Sequence, residues 1–320
     1  MMPIFACLQF RYLSVLRPRQ LAKTIVWFAA CVFVGPTVVA QEDVAVSSEW
    51  TLSWTPILAK GVAVPGGIVA ELLPPTLVSE LRTAEAALTD LAGPVGLERF
   101  TRNNLNAPVR IKIDDLQTPD EDRCGYSIHS AYVLYAEISK LKDRDFMESV
   151  FGAGEGKKSD GAQPKELTED ELEVLGVRQH PNLKLVRIEL PLLRKVVIRG
   201  LIEVERVEAP NAFLLVWRLV SPARLQELGG NLEAAEAVGT WAPLSTNDLG
   251  EQVEGEAQPY HGLGGYVCMM ATGLEEEQLL VETRMIMHEH RDWFSGSRYL
   301  RSKLPLSLQS SAKELRRKLR

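Results

Sequence analysis

Between residues 278 and 290 hydrophobic and polar positions alternate. Leu279, Val281, Thr283, Met285 and Met287 fall on one side, and Glu282, Arg284, His288 and His290 on the other. Side chains along a strand alternate between faces, so this stretch predicts a β-strand with one buried and one wetted face. Residues 266–272 (YVCMMAT) supply a partner strand and 273–276 the turn between them. Gly296-Ser297 then breaks the pattern, and the spacing changes to three or four. Leu300, Leu304, Leu308, Ala312, Leu315 and Leu319 form the apolar stripe of a long helix, with Ser297 placed as its N-cap. Pro305 lies inside the stripe and predicts a kink or a new first turn.

The same reading extends upstream. Pro74-Pro75 introduces a helix in which Leu77, Leu81, Ala84, Leu88 and Leu91 share a face, ending at Gly93-Pro94. Residues 109–113 read as a strand, 114–123 as an acidic loop and 126–138 as a strong strand. Two short helices follow. Residues 143–151 have Asp143 as a cap, and in 168–175 Thr168 and Glu171 are spaced as a capping box. A Gly-, Lys- and Ser-rich loop, 152–164, separates them. Strands are predicted at 184–190, 194–207 and 212–220, with Ala209-Pro210-Asn211 as the turn between the last two. Phe213, Leu215, Trp217 and Leu219 mark one face of the third. Residues 232–238 fit a helix and 239–244 a strand end, while 248–258 reads as an acidic loop.

From Tyr126 onward the order is strand, two short helices, six strands, one long helix. It resembles the helix-grip fold of START-like proteins, the superfamily of lipid-transfer START domains and polyketide cyclases. The residues carrying the resemblance are 279–290, Trp293-Phe294 and the SRYLRSKLPLSLQSSAKELRRKL helix with its internal proline. It covers about residues 108–320 and leaves 41–107 as an N-terminal extension with one amphipathic helix. The resemblance implies an α+β fold: a curved antiparallel sheet gripping the C-terminal helix around an apolar cavity for a lipid or other hydrophobic small molecule. The expected walls are Trp217, Val281, Met285 and Met287 on the strands and Leu304 and Leu308 on the helix. The 152–164 loop departs from a compact version, and no family ligand residue is matched here. Such folds host binders and enzymes alike.

The first forty residues carry Arg11, Arg17, Arg19 and Lys23 and no acid, then an apolar run over 24–40 ending Val38-Val39-Ala40. This is the pattern of a secretory signal cut after Ala40, with an uncleaved anchor over 24–40 as the alternative. Cleavage would take 36 basic residues to 32 against 42 acids, a net charge of −10. The charge is uneven. Residues 297–320 hold Arg298, Arg301, Lys303, Lys313, Arg316, Arg317, Lys318 and Arg320 against Glu314. An acidic body with a basic closing helix is a poor partner for nucleic acid, whereas the helix suits an anionic membrane surface. Solvated cations complementing the helix dipole are the plainer reading of the same face.

Candidate chemistry is sparse. His288 and His290 could meet one metal, with His261 and Glu282 as nominal further ligands, but no third ligand has recognisable spacing, and a solvated strand face is the preferred reading. Gly262-Leu263-Gly264-Gly265 precedes a strand instead of opening a helix, so it reads as a bend or bulge and not a phosphate cradle. Met269, Met270, Met285 and Met287 concentrate in the last two strands, as core or as the adaptable wall of a lipid cavity. Of four cysteines only Cys124 and Cys268 lie beyond the presequence, too few for a disulfide scaffold. No Gly-x-Ser-x-Gly elbow is present and no cofactor is implied. The expectation is an exported binding module. A small cyclase- or hydrolase-type enzyme using the His288/His290 face and a non-catalytic envelope protein stand as alternatives.

Overall fold

A computed structural model describes residues 60–78, 83–120, 122–143, 164–177, 183–231, 238–294 and 297–319. The predicted signal segment, the 143–151 helix beyond Asp143, nearly all of the 152–164 loop, and residues 232–237 lie outside the described residues.

The first described element is a small antiparallel hairpin, β1 (Val62–Val64) and β2 (Ile68–Ala70). A 3-10 turn at Thr76–Val78 and helices α1 (Ala84–Ala92) and α2 (Leu97–Thr101) follow. The extension is therefore part strand, and its main helix starts later than Pro74-Pro75 suggests. Thr83 supplies the cap, its hydroxyl accepting from the Ala86 N–H, and Gly93 ends the helix with a positive φ of 51°.

Then come β3 (Arg110–Gln117), β4 (Arg123–Tyr135) and helix α3 (Ile138–Lys142). Two readings change here. β3 runs on through Asp114 and Asp115, where a loop was expected, because Asp115 is held by Arg298 and Arg301 of the distant C-terminal segment. Ile138 begins α3 instead of ending β4, and Asp143 closes that helix. After β5 (Lys165–Glu166), helix α4 (Glu169–Leu175) has the predicted capping box, with both Thr168–Glu171 bonds formed.

Strands β6 (Leu183–Leu192), β7 (Val196–Ala209) and β8 (Ala212–Leu219) follow, with the 209–211 turn where it was expected. The β6–β7 turn places Leu193 and Arg194 at φ of 54° and 58°, a left-handed pair with no Asn-Gly signal to announce it. Helix α5 (Pro222–Glu227) leads to β9 (Gly239–Thr246). Two short strands, β10 (Gln252–Glu254) and β11 (Gln258–Pro259), occupy the stretch read as an acidic loop, and both pair with β9. β12 (Leu263–Ala271), β13 (Gln278–His288) and helix α6 (Tyr299–Lys318) close the chain. α6 passes through Pro305 unbroken and starts after Arg298, without a side-chain cap from Ser297.

Among the described residues, β3 to β13 make one eleven-stranded antiparallel sheet, whose main path is β10-β9-β7-β8-β12-β13-β4-β3, with β6 also on β7. The central pairs are β12–β13 and β13–β4, with Met285 opposite Gly265 and Ile128. Inward residues from β4, β6, β7, β8, β9, β12 and β13 share one buried cluster with Leu300, Leu304, Leu308, Ala312 and Leu315 of α6. Seven flat strands would span about 29 Å between the outermost at ~4.8 Å spacing, several times the reach of one helix. The sheet therefore curves around α6, and the fold is the expected α+β arrangement of a sheet gripping its C-terminal helix.

The opposite sheet face was expected to be wet, and it is not. Val62, Val64, Ala70 and Leu72 of the N-terminal extension pack on Leu214, Val216, Tyr266, Cys268 and Ile286. Leu88, Ala92 and Phe100 of α1 and α2 cover Ala131, Val133 and Leu280. The alternation in β13 thus separates two buried layers. The polar residues of the outer layer lie against one another: Glu282 is 1% exposed and sits 2.9 Å from His129 and 3.2 Å from Arg284.

Candidate ligand site between sheet and helix

The six residues expected to wall a cavity come together. Trp217 on β8, Val281, Met285 and Met287 on β13, and Leu304 and Leu308 on α6 are all buried in the cluster between sheet and helix. Met269 lies in this cluster too, while Met270 points to the outer layer. Period-2 spacing in the strands and period-3.6 spacing in α6 direct these side chains at one another.

Two arginines hold α6 in place. Arg301 donates to the Ile113 carbonyl at 2.9 Å and pairs with Asp115. Near the other end, Arg316 donates to the carbonyls of Val133 (2.9 Å) and Ala107 (2.6 Å), with its guanidinium over the Tyr132 ring. The helix face read as uniformly solvated is thus divided, since Arg316 is buried and Arg301 is turned to the sheet. Lys313, Arg317 and Lys318 remain exposed.

One end of the core is aromatic. Tyr260 stacks on Trp293 with centroids 5.4 Å apart, Trp293 meets Trp241 edge-on at 5.7 Å, and the His290 ring lies 4.9 Å from Trp241. Tyr260 donates its hydroxyl to the His288 carbonyl. At the same end Glu289 is paired with Arg123, which also contacts the Tyr126 hydroxyl. Burial raises the Glu289 carboxyl above its ordinary range despite the Arg123 charge. Several polar atoms in this interior have no hydrogen-bond partner: Nε1 of Trp241 and of Trp293, Oε2 of Glu289 and Oγ of Ser307. The sequence does not single out these four atoms, because nothing local marks an unpaired polar group.

The histidines are engaged elsewhere. His288 lies against the outer layer, its Nδ1 bonded to the Cys124 carbonyl, and burial lowers its pKa, reinforced by the nearby His290 and His261. His290 leaves the strand face where β13 ends and sits perpendicular to His288, with Nδ1 accepting from the Asp292 N–H. Glu282 is committed to Thr76, His129 and Arg284. Among the described residues no group of three His, Cys, Asp or Glu is arranged to hold a metal. Cys124 and Cys268 are both buried and unpaired. Gly264 and Gly265 belong to β12 instead of a bend: a Cβ at Gly265 would collide with the Arg284 carbonyl of β13.

No protein-family profile and no curated protein matches the chain. Among solved structures, the human StarD13 (DLC2) lipid transfer and protein localization domain aligns with 69% of this chain and 86% of its own, at 8% identity and a TM-score of 0.36. Human STARD10 aligns with 76% of this chain and 81% of its own, at 8% identity and a TM-score of 0.34. Similarity this distant carries no functional information.

Proposed function

We propose that this protein is an exported binding module that holds a lipid or other hydrophobic small molecule between the sheet and α6. The observation that carries the reading is the convergence of Trp217, Val281, Met285, Met287, Leu304 and Leu308 in one interior flanked by unpaired polar atoms. A large apolar interior with a few polar groups fits an amphiphile, and the three methionines in it, Met269, Met285 and Met287, suit an irregular guest. Export is proposed from the basic and apolar pattern of residues 1–40. The exposed Lys313, Arg317 and Lys318 support docking at an anionic lipid surface, where such a cargo would be exchanged.

Titration with an apolar fluorescent dye tests the reading. Leu308→Trp, which fills the interior, is expected to weaken dye binding at least tenfold with far-UV circular dichroism retained. Equal binding by wild type and variant would count against a site in this interior.

A further inference from the structure

The aromatic end of the interior has hydrogen-bond donors with nothing to accept them. Trp241 projects inward from β9, opposite Ile198, and is 4% exposed; Trp293, just beyond β13, is 5% exposed. Their rings are 5.7 Å apart, and neither indole N–H has a partner. Buried donors are nearly always paired, and each one left unpaired costs roughly 1–3 kcal/mol. The neighbours do not answer this need. The Tyr260 hydroxyl donates to the His288 carbonyl and its oxygen takes no bond from either indole, and Nδ1 of His290 accepts from the Asp292 N–H. Glu289 also belongs to this end, lying between His288 and His290 and beside Arg123. One of its oxygens pairs with Arg123 and the other is unpartnered and buried.

We infer that the bound molecule is a neutral amphiphile carrying an acceptor oxygen, such as a ketone, ester or hydroxyl, which seats against the Trp241 and Trp293 N–H groups while its chain lies along the α6 stripe. The inference rests on the binding reading above and deepens it. A bare hydrocarbon would leave both indoles unpaired. A carboxylate head would be buried there with no free cation among the described residues to meet it, because Arg123 is already paired with Glu289, so a neutral oxygen suits the site better.

Matched probes test this. 2-Tetradecanone and tetradecane, delivered from cyclodextrin, are competed against an apolar dye on the full chain. The wild type is expected to prefer the ketone about fivefold to tenfold, since one net hydrogen bond contributes about 1 kcal/mol and 1.4 kcal/mol is tenfold. The double variant Trp241→Phe/Trp293→Phe keeps most of the aromatic surface and removes both donors. Its ketone-to-alkane preference, read as a ratio within the variant, is expected to fall to about one. Should the double variant fail to fold, the single variants decide, and at least one is expected to lose most of the preference. No preference in the wild type, or a preference that survives the substitutions, overturns the inference and leaves the binding reading standing; a water already satisfying the indoles would give this result. Failure of both probes to bind the wild type overturns both.

Discussion

Glu282, in the middle of the last hairpin, holds Thr76 from the far end of the described chain. Its carboxylate accepts from the Thr76 N–H at 2.6 Å and from the Thr76 hydroxyl at 3.0 Å. The contact ties the N-terminal extension to the outer face of the sheet, so the extension is part of the fold. Glu282→Gln is expected to lower stability by about 2 kcal/mol, the scale of hydrogen bonds to a charged group. Urea unfolding would give that loss, and hydrogen exchange should quicken across residues 62–78. Unchanged protection there would mean the extension is held by apolar packing alone.

The outer layer also sets a pH dependence. Burial opposes ionisation of Glu282, but His129, the Thr76 N–H and Arg284 outweigh it and lower the pKa below the ordinary 4.5. The stabilisation is therefore present above about pH 4.5 and lost as pH falls through the lower folded value. His288 acts in a higher window. Burial depresses its pKa below 6.5 against the opposing Cys124 bond, so the unfolded chain takes up the proton first and stability declines as pH drops below 6.5. Its slope is at most about 1.4 kcal/mol per pH unit. His288→Gln should remove the decline between pH 6.5 and 5 while leaving the one below 4.5, as thermal melts across pH would show.

Arg316 anchors the end of α6 by filling carbonyl acceptors of β4 and the segment before β3. Arg316→Ala leaves the Val133 and Ala107 oxygens without this donor and should cost about 3 kcal/mol. Arg316→Lys should recover only part, because one ammonium cannot reproduce the planar fork. Full recovery by lysine, measured by chemical denaturation, would show that charge alone matters.

Gly265→Ala drives a methyl group into the Arg284 carbonyl across the β12–β13 pair. The hairpin must spread, and a loss of roughly 1–3 kcal/mol is expected, of the size seen for overpacking. A neutral substitution by thermal melt would show that this pair relaxes freely.

How much of this was legible follows from the range of each interaction. The stripe of α6, the alternation in β13 and the Thr168 capping box are local patterns, and each appears where its spacing places it. The fate of the polar side of β13 was not legible. Alternation reads the same whether Glu282 faces water or lies beneath Thr76 and Arg284, and Thr76 is 206 residues away. β3 outran its apolar pattern for the same reason, since Asp115 is neutralised by Arg298 and Arg301. Of the site, the apolar wall could be listed from periodicity. The unpaired donors of Trp241, Trp293 and Ser307 emerge only once distant elements have met.

Native mass spectrometry of the purified protein, with solvent extraction of the same sample, tests the central claim most directly. A co-purifying apolar molecule, or a stoichiometric adduct with an added long-chain ketone, is the predicted result. A bare mass that takes up neither the ketone nor the alkane would contradict a binding site between sheet and α6, and would assign that interior to packing alone.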